Sequence, residues 1–176
     1  MCGILGDWSL NDKSIKRDEF SKILNLSRSR GPDSTQIEIV EKNLHFGFNR
    51  LSILDKSNNA NQPIWSPSKR YLIVFNGEIY NHFELRNKLS LKNSLFNSHS
   101  DTATLINCIE EWGIYKTVNL LDGMFAIGIW DNLKKTLSLV RDFAGIKPLF
   151  YGWNKRRVVF ASQYNQIIKH PSFRFE

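Results

Sequence analysis

Tyr71-Leu72-Ile73-Val74-Phe75 is the stretch that most limits the fold, because five apolar residues in a row leave no position to turn toward water. A strand of that composition is covered on both of its faces, so the chain must supply layers above and below it. The material for those layers is visible on either side. Residues 35–40 and 44–48 alternate like two strands joined by the turn Glu41-Lys42-Asn43. Residues 124–130, 136–140, 149–151 and 158–161 form a second run of strands, separated by short charged segments. Within the first of these, Phe125, Ile127 and Ile129 share one face, while Ala126 and Gly128 leave the other open for close packing. After a turn at 11–14, Ile15, Phe20, Ile23 and Leu24 mark a helix that ends at Gly31-Pro32. Residues 82–91 predict a second helix with Phe83, Leu85 and Leu89 inward. Ser100-Asp101 offers an N-cap for a third, with Leu105, Cys108, Ile109 and Trp112 on one face, and residues 163–169 form a last short helix. Beyond Gly113 the chain turns to sheet. Connections this short do not permit parallel crossovers, so the reading is α+β, with antiparallel sheets and helices packed outside.

Composition closes off several functions. At 176 residues the chain is one domain with room for a sizeable core. No apolar run approaches the roughly 18–20 residues that span a bilayer, and no signal-peptide core follows Met1. Two cysteines are too few for a disulfide framework, and a cytoplasmic location is expected. The net charge of +7 is spread over small clusters at Lys13/Lys16/Arg17, Arg28/Arg30 and Lys155-Arg156-Arg157. That pattern suits a solvated surface, or a face for an acidic partner, better than nucleic acid. His45, His82, His99 and His170 are scattered without metal-ligand spacing, and no glycine-rich phosphate loop marks an ATP site.

Chemistry points to the first residues, Met1-Cys2-Gly3-Ile4-Leu5-Gly6. Once Met1 is removed, Cys2 carries a thiol and a free α-amine on one residue. An α-amine, with a pKa of about 7.7–8, is partly unprotonated near neutrality and can take the thiol proton. The same residues also read as an ordinary buried strand. Asn76-Gly77 follows the apolar run directly and is equally a hairpin-turn signal. Arg50 could be a surface ion pair, Asp101 a helix cap, and Cys108 belongs to a helix stripe.

The chain resembles the class II, N-terminal-nucleophile glutamine amidotransferases, and most of all the glutaminase domain of glutamine-hydrolysing asparagine synthetases. The shared stretches run in family order: Met1-Cys-Gly-Ile-Leu-Gly6, Arg30-Gly-Pro-Asp-Ser34, Arg50-Leu-Ser-Ile-Leu-Asp55, Gln62-Pro63 and Phe75-Asn-Gly-Glu-Ile-Tyr-Asn81. They continue through Ser100-Asp-Thr102, Leu121-Asp-Gly-Met-Phe-Ala126, Gly145-Ile-Lys-Pro-Leu149 and Phe160-Ala-Ser162. The resemblance implies a four-layer αββα sandwich. It implies Cys2 as nucleophile, attacking the glutamine amide to form a thioester, with Asn76 and the Gly77 amide as oxyanion hole. Arg50 would hold the substrate carboxylate, Glu78 and Asp101 its ammonium, and the backbone of Leu51 and Ile53 would line the site.

The released ammonia would serve an ATP- and magnesium-using synthetase that amidates an activated carboxylate. No such cofactor is expected in this chain. With 176 residues there is no room for that synthetase, and the unit is expected to lack a closing strand. A stand-alone glutaminase subunit and a fragment both fit, and the acceptor stays open. Departures from the family pattern fall at Ala103, Phe143-Ala144 and Gln163, the last two in regions where the family meets its partner. Two rivals remain: an N-terminal-nucleophile amidase for another amide, and a silent binding or regulatory module of the same fold.

Overall fold

The computed structural model describes residues 1–11, 15–52, 61–89 and 100–173. Ile53, most of the polar segment after it, the turn residues 12–14, residues 90–91 and His99 lie outside them. Among the described residues nine strands build two antiparallel sheets. The five-stranded sheet runs β2 (Ser34–Val40), β3 (Leu44–Arg50), β1 (Gly3–Ser9), β9 (Arg157–Ala161) and β8 (Phe150–Asn154). The four-stranded sheet runs β4 (Ile64–Trp65), β5 (Tyr71–Ile79), β6 (Gly123–Asp131) and β7 (Thr136–Arg141). The β2–β3 turn carries Glu41 and Lys42 at φ 51° and 67°, with the Asn43 amide bonded to the Val40 carbonyl. That is the turn whose twist matches the flanking strands.

The sheets pack face to face. Ile4, Leu44, Phe46 and Phe48 of one meet Leu72, Val74, Ala126 and Trp130 of the other. Phe160 stands between them, its ring filling the space that Gly128 leaves empty. A Cβ on Gly128 would lie 2.3 Å from the ring's Cζ. The absence of that one carbon lets the sheets approach. Burial of a ring such as Phe160, which is fully enclosed, contributes about 2–3 kcal/mol. Helices cover the outer faces. Phe20, Ile23 and Leu24 of α1 (Arg17–Asn25) and Ile167 of α5 (Tyr164–Ile168) pack on Leu5, Val159 and Ala161. Leu85 of α2 (His82–Lys88) and Leu105, Cys108 and Ile109 of α3 (Asp101–Trp112) pack on Tyr71, Ile73, Phe75 and Ile127. The run from Tyr71 to Phe75 is thus enclosed between helices and the second sheet. The four layers are helix, sheet, sheet, helix.

Several expectations need correction. Phe83 is 64% exposed on α2, and Arg86 takes a buried place on that helix, donating to Thr104 Oγ1 at 3.2 Å. Gly113 leads into a further helix, α4 (Ile114–Leu120), before the chain enters β6. β8 begins at Phe150 and runs on to Asn154, because the turn sits at Lys155-Arg156. Asn76-Gly77 is no turn, since both residues continue β5, opposite Ala126 and Phe125 of β6. Among the described residues no helix is long and apolar enough to cross a membrane.

A buried polar cluster lies beneath α1 and α5. Asp7 is fully buried and accepts two bonds from Arg157 Nη1, at 2.9 and 2.7 Å. His170 Nε2 lies 3.9 Å from Asp7, and His45 is Asp7's cross-strand neighbour. Burial and the nearby Arg157 push both His45 and His170 from 6.5 down to about 4. Burial pushes the Asp7 carboxyl up to about 6 against the pull of Arg157. The folded protein therefore keeps both histidines neutral, and that stability is present above pH 6.5 and lost as pH falls toward 4. Protonation of Asp7 acts in the opposite direction, but two shifts outweigh one. A net loss of a few kcal/mol is expected between those pH values. Denaturant midpoints measured across this range test it, and a flat profile would show the cluster to be electrostatically silent.

Candidate active site

A cavity of about 240 Å³ opens between the sheets at the start of β1. It is smaller than the roughly 300–1,000 Å³ of drug-sized pockets, which suits a ligand the size of an amino acid. Cys2, Arg50, Leu51, Asn76, Gly77, Glu78 and Asp101 all line it, joined by Gln62, Thr102 and Lys147. Strand periodicity explains the convergence. Ile4 and Trp8 of β1, Leu44, Phe46 and Phe48 of β3, and Leu72 and Val74 of β5 face the gap between the sheets. Continuing each set by steps of two reaches Cys2, Arg50, and then Asn76 and Glu78. The apolar inner face of three strands turns polar at one end, and the polar ends meet.

The β1–β3 register, with Gly3 opposite Asn49, brings Cys2 beside Arg50 and Leu51. The Leu51 amide donates to Cys2 Sγ at 3.4 Å, and the thiol lies 3.7 Å from the Leu51 carbonyl. Arg30 Nε donates to the Cys2 carbonyl at 3.0 Å, anchoring the residue through its backbone. Burial raises the Cys2 pKa, opposed by the Leu51 amide, the chain's α-amino group, Arg50 and Arg30. The resting group is a thiol, so its attack requires a base.

On the facing sheet, Asn76 is 2% exposed, and its Nδ2 has no hydrogen-bond partner among the described residues. A buried donor left unbonded is costly, of the order of 1–3 kcal/mol, and this one lines the cavity, where a bound group can meet it. Gly77 stands opposite Phe125, whose amide and carbonyl both turn to Asp142 on the far side of β6. The Gly77 amide therefore points away from β6, along the open edge of β5. A Cβ at Gly77 would lie 2.2 Å from the Met124 carbonyl oxygen, so glycine is what fits there.

The charged residues divide by sign. Arg50, only 6% exposed and bonded from Nη1 to Asn61 Oδ1 at 2.6 Å, is no surface ion pair. Asp101, at 7%, accepts from the amides of Ile79 and Thr102 at 3.1 and 2.8 Å. Burial raises its pKa, and those two amides oppose the rise. Ser100 supplies the cap of α3, its Oγ accepting from the Ala103 amide at 3.2 Å. Asp101 is thereby left to face the cavity from the first turn. Glu78 lines the same wall but is exposed, which places it at the mouth. A cationic wall opposite an anionic one suits a zwitterion.

Lys147 and Gln62 lie within motifs that the sequence displays but carry no role that the sequence reveals. Lys147 reaches the cavity because Asp142 accepts the amides of Lys147, Ile146 and Phe125 at 3.0, 2.7 and 3.1 Å, bending the chain there. Burial alone would raise the Asp142 carboxyl; those amides hold it below the usual range. The Lys147 ammonium lies 3.2 Å from Met1 Sδ. Ala103, Phe143, Ala144 and Gln163 do not line the cavity.

The family model described as the glutamine amidotransferase domain matches residues 1–176. The chain belongs to this family. It is 39% identical over 174 residues to asparagine synthetase [glutamine-hydrolyzing] 2 of Bacillus subtilis, covering 97% of this chain and 23% of that protein. Asparagine synthetase [glutamine-hydrolyzing] 1 of the same organism is 36% identical over 171 residues, covering 96% and 27%. An asparagine synthetase of Oryza sativa is 35% identical over 176 residues, covering 99% and 29%. The chain thus spans about a quarter of the length of these relatives. Among solved structures, the allosteric regulatory enzyme of purine biosynthesis matches with a TM-score of 0.78 at 20% identity, covering 94% of this chain and 43% of that one. Glutamine phosphoribosylpyrophosphate amidotransferase of Bacillus subtilis matches at 0.74 and 19%, with the same coverage. Both share the sandwich fold of this chain.

Proposed function

We propose that the chain hydrolyses the side-chain amide of glutamine to glutamate and ammonia, with Cys2 as N-terminal nucleophile. The observation that carries this reading is the meeting, in one cavity, of the Cys2 thiol and the buried Nδ2 of Asn76, which has no hydrogen-bond partner among the described residues. While Met1 is attached, the nitrogen of Cys2 is a peptide amide and no base, and Met1 lines the cavity. Its removal both frees the α-amine and opens the space beside the thiol.

The amine of Cys2 then takes the thiol proton as sulfur adds to the amide carbon of glutamine. The carbonyl oxygen becomes an oxyanion, received by Asn76 Nδ2 and the Gly77 amide. Collapse of the adduct restores the carbonyl and expels ammonia, which leaves with the proton held by the amine. Water, deprotonated by the same amine, hydrolyses the thioester to glutamate. Arg50 holds the substrate carboxylate through its planar fork, and Asp101 with Glu78 receives the ammonium. Leu51 contributes its amide to the sulfur.

The ammonia serves an asparagine-synthetase-like amidation of an ATP-activated carboxylate, carried out with magnesium on a separate synthetase domain or subunit in the cytoplasm. The names of the relatives, asparagine synthetase [glutamine-hydrolyzing], support this destination. Intact-mass spectrometry after incubation with a glutamine-analogue electrophile tests the reading. One adduct is expected, on Cys2, because Cys108 is fully buried and burial pushes its pKa up to about 12. Modification of Cys108 instead would sink it.

A further inference from the structure

β5 pairs with β6 along its whole length on one side, but on the other it meets β4 only at Ile73 and Leu72. Beyond that point the amides of Phe75, Gly77 and Ile79 face an edge with no strand on it among the described residues. Two of the three are taken by side chains. Gln62 meets Phe75 as a neighbouring strand would, its Oε1 accepting the Phe75 amide at 2.6 Å and its Nε2 donating to the Phe75 carbonyl at 3.1 Å. Asp101 Oδ2 accepts the Ile79 amide at 3.1 Å. Gly77 lies between these two fastenings. Gln62 is 4% exposed, and its Nε2 also lies 3.4 Å from Thr102 Oγ1, next to Asp101 on α3.

We propose that Gln62 is a positioning residue for the oxyanion site, holding the β5 edge so that Asn76 and Gly77 present their donors to the cavity; this rests on the glutaminase reading above. A primary amide is the side chain for the task, because it donates and accepts in one plane and so matches the N–H and C=O of a single residue. Neither atom of Gln62 touches the reacting groups in this account. Its effect passes through Phe75 to the residues that follow, where a shift of the order of 1 Å costs about 10²-fold in rate.

The test is steady-state kinetics with glutamine on the wild-type chain and on Gln62→Met, beside the rate at which iodoacetamide alkylates Cys2. Alkylation displaces iodide at carbon and develops no oxyanion. Gln62→Met is expected to lower kcat roughly 10- to 100-fold with KM within about 3-fold, leaving the alkylation rate unchanged. An unchanged kcat overturns the proposal, and so does an equal slowing of alkylation, which would mean general disturbance of the site. Gln62→Glu guards against misfolding. Its neutral acid form can both accept from and donate to Phe75, whereas the carboxylate can only accept. The ratio of its kcat to that of wild type should therefore rise as pH falls, and a ratio independent of pH overturns the assignment. A wild-type chain that releases no ammonia from glutamine would overturn the site's reading as a whole, and this proposal with it.

Discussion

Replacing Cys2 with alanine is expected to bring ammonia release from glutamine down to background, a loss on the order of 10⁶-fold. The side chain removed is small and only partly buried, with the Leu51 amide and carbonyl as its hydrogen-bond partners. Its loss costs the fold about 1 kcal/mol. The circular dichroism spectrum and denaturant midpoint should therefore stay close to those of wild type while activity disappears. Appreciable hydrolysis by the purified variant would remove Cys2 from the chemistry. A chain that retains Met1 should be equally inactive with its thiol intact, because the required base does not exist until that peptide bond is cut.

Substitution of Asn76 separates chemistry from binding. In the proposed mechanism its Nδ2 meets an oxygen whose charge exists only in the transition state, so Asn76→Ala should lower kcat by roughly 10²–10³ with little change in KM. Arg50→Lys keeps a charge but loses the planar donor pair, and loss of one charge-assisted contact costs about 1.5–3 kcal/mol. That corresponds to a drop in kcat/KM of roughly 10- to 150-fold, with KM carrying the change. Both variants are compared in one steady-state assay with glutamine. If Asn76→Ala raised KM and left kcat alone, the oxyanion role would pass to another donor.

The sequence displays the strands of this fold well where alternation is clean, as in residues 44–48 and 124–130, and the helix stripe of Leu105, Cys108 and Ile109 is equally plain. It shows less where local signals and tertiary pairing disagree. Asn-Gly is a turn in isolation, yet β6 pairs with β5 through Ile79 and draws Asn76 and Gly77 into the ladder. The two-residue strand β4 is too short to have a pattern, and α4 is a single polar-faced segment with only Thr117 buried. Phe83 reads as inward because it is aromatic, but Leu85, Leu89 and the stem of Arg86 fill the available interior. The site residues are legible as motifs. Their meeting point is legible only once the strands are aligned, since a step of two along β1, β3 and β5 carries each apolar face to its polar end. Gln62 could not be found that way, because its role depends on a strand that stops short.

The placement of Phe160 against Gly128 reaches further than core packing. Cys2 and Arg50 ride on one sheet, Asn76 and Gly77 on the other, and among the described residues no strand crosses between them. The separation of Cys2 from Asn76 and Gly77, the proposed nucleophile and oxyanion donors, thus follows the thickness of the interior, to which the Phe160 ring contributes. A methyl group added at Gly128 would act as a shim, parting the two halves of the machinery without touching either. Gly128→Ala is therefore expected to lower turnover of glutamine while every residue of the proposed site keeps its identity.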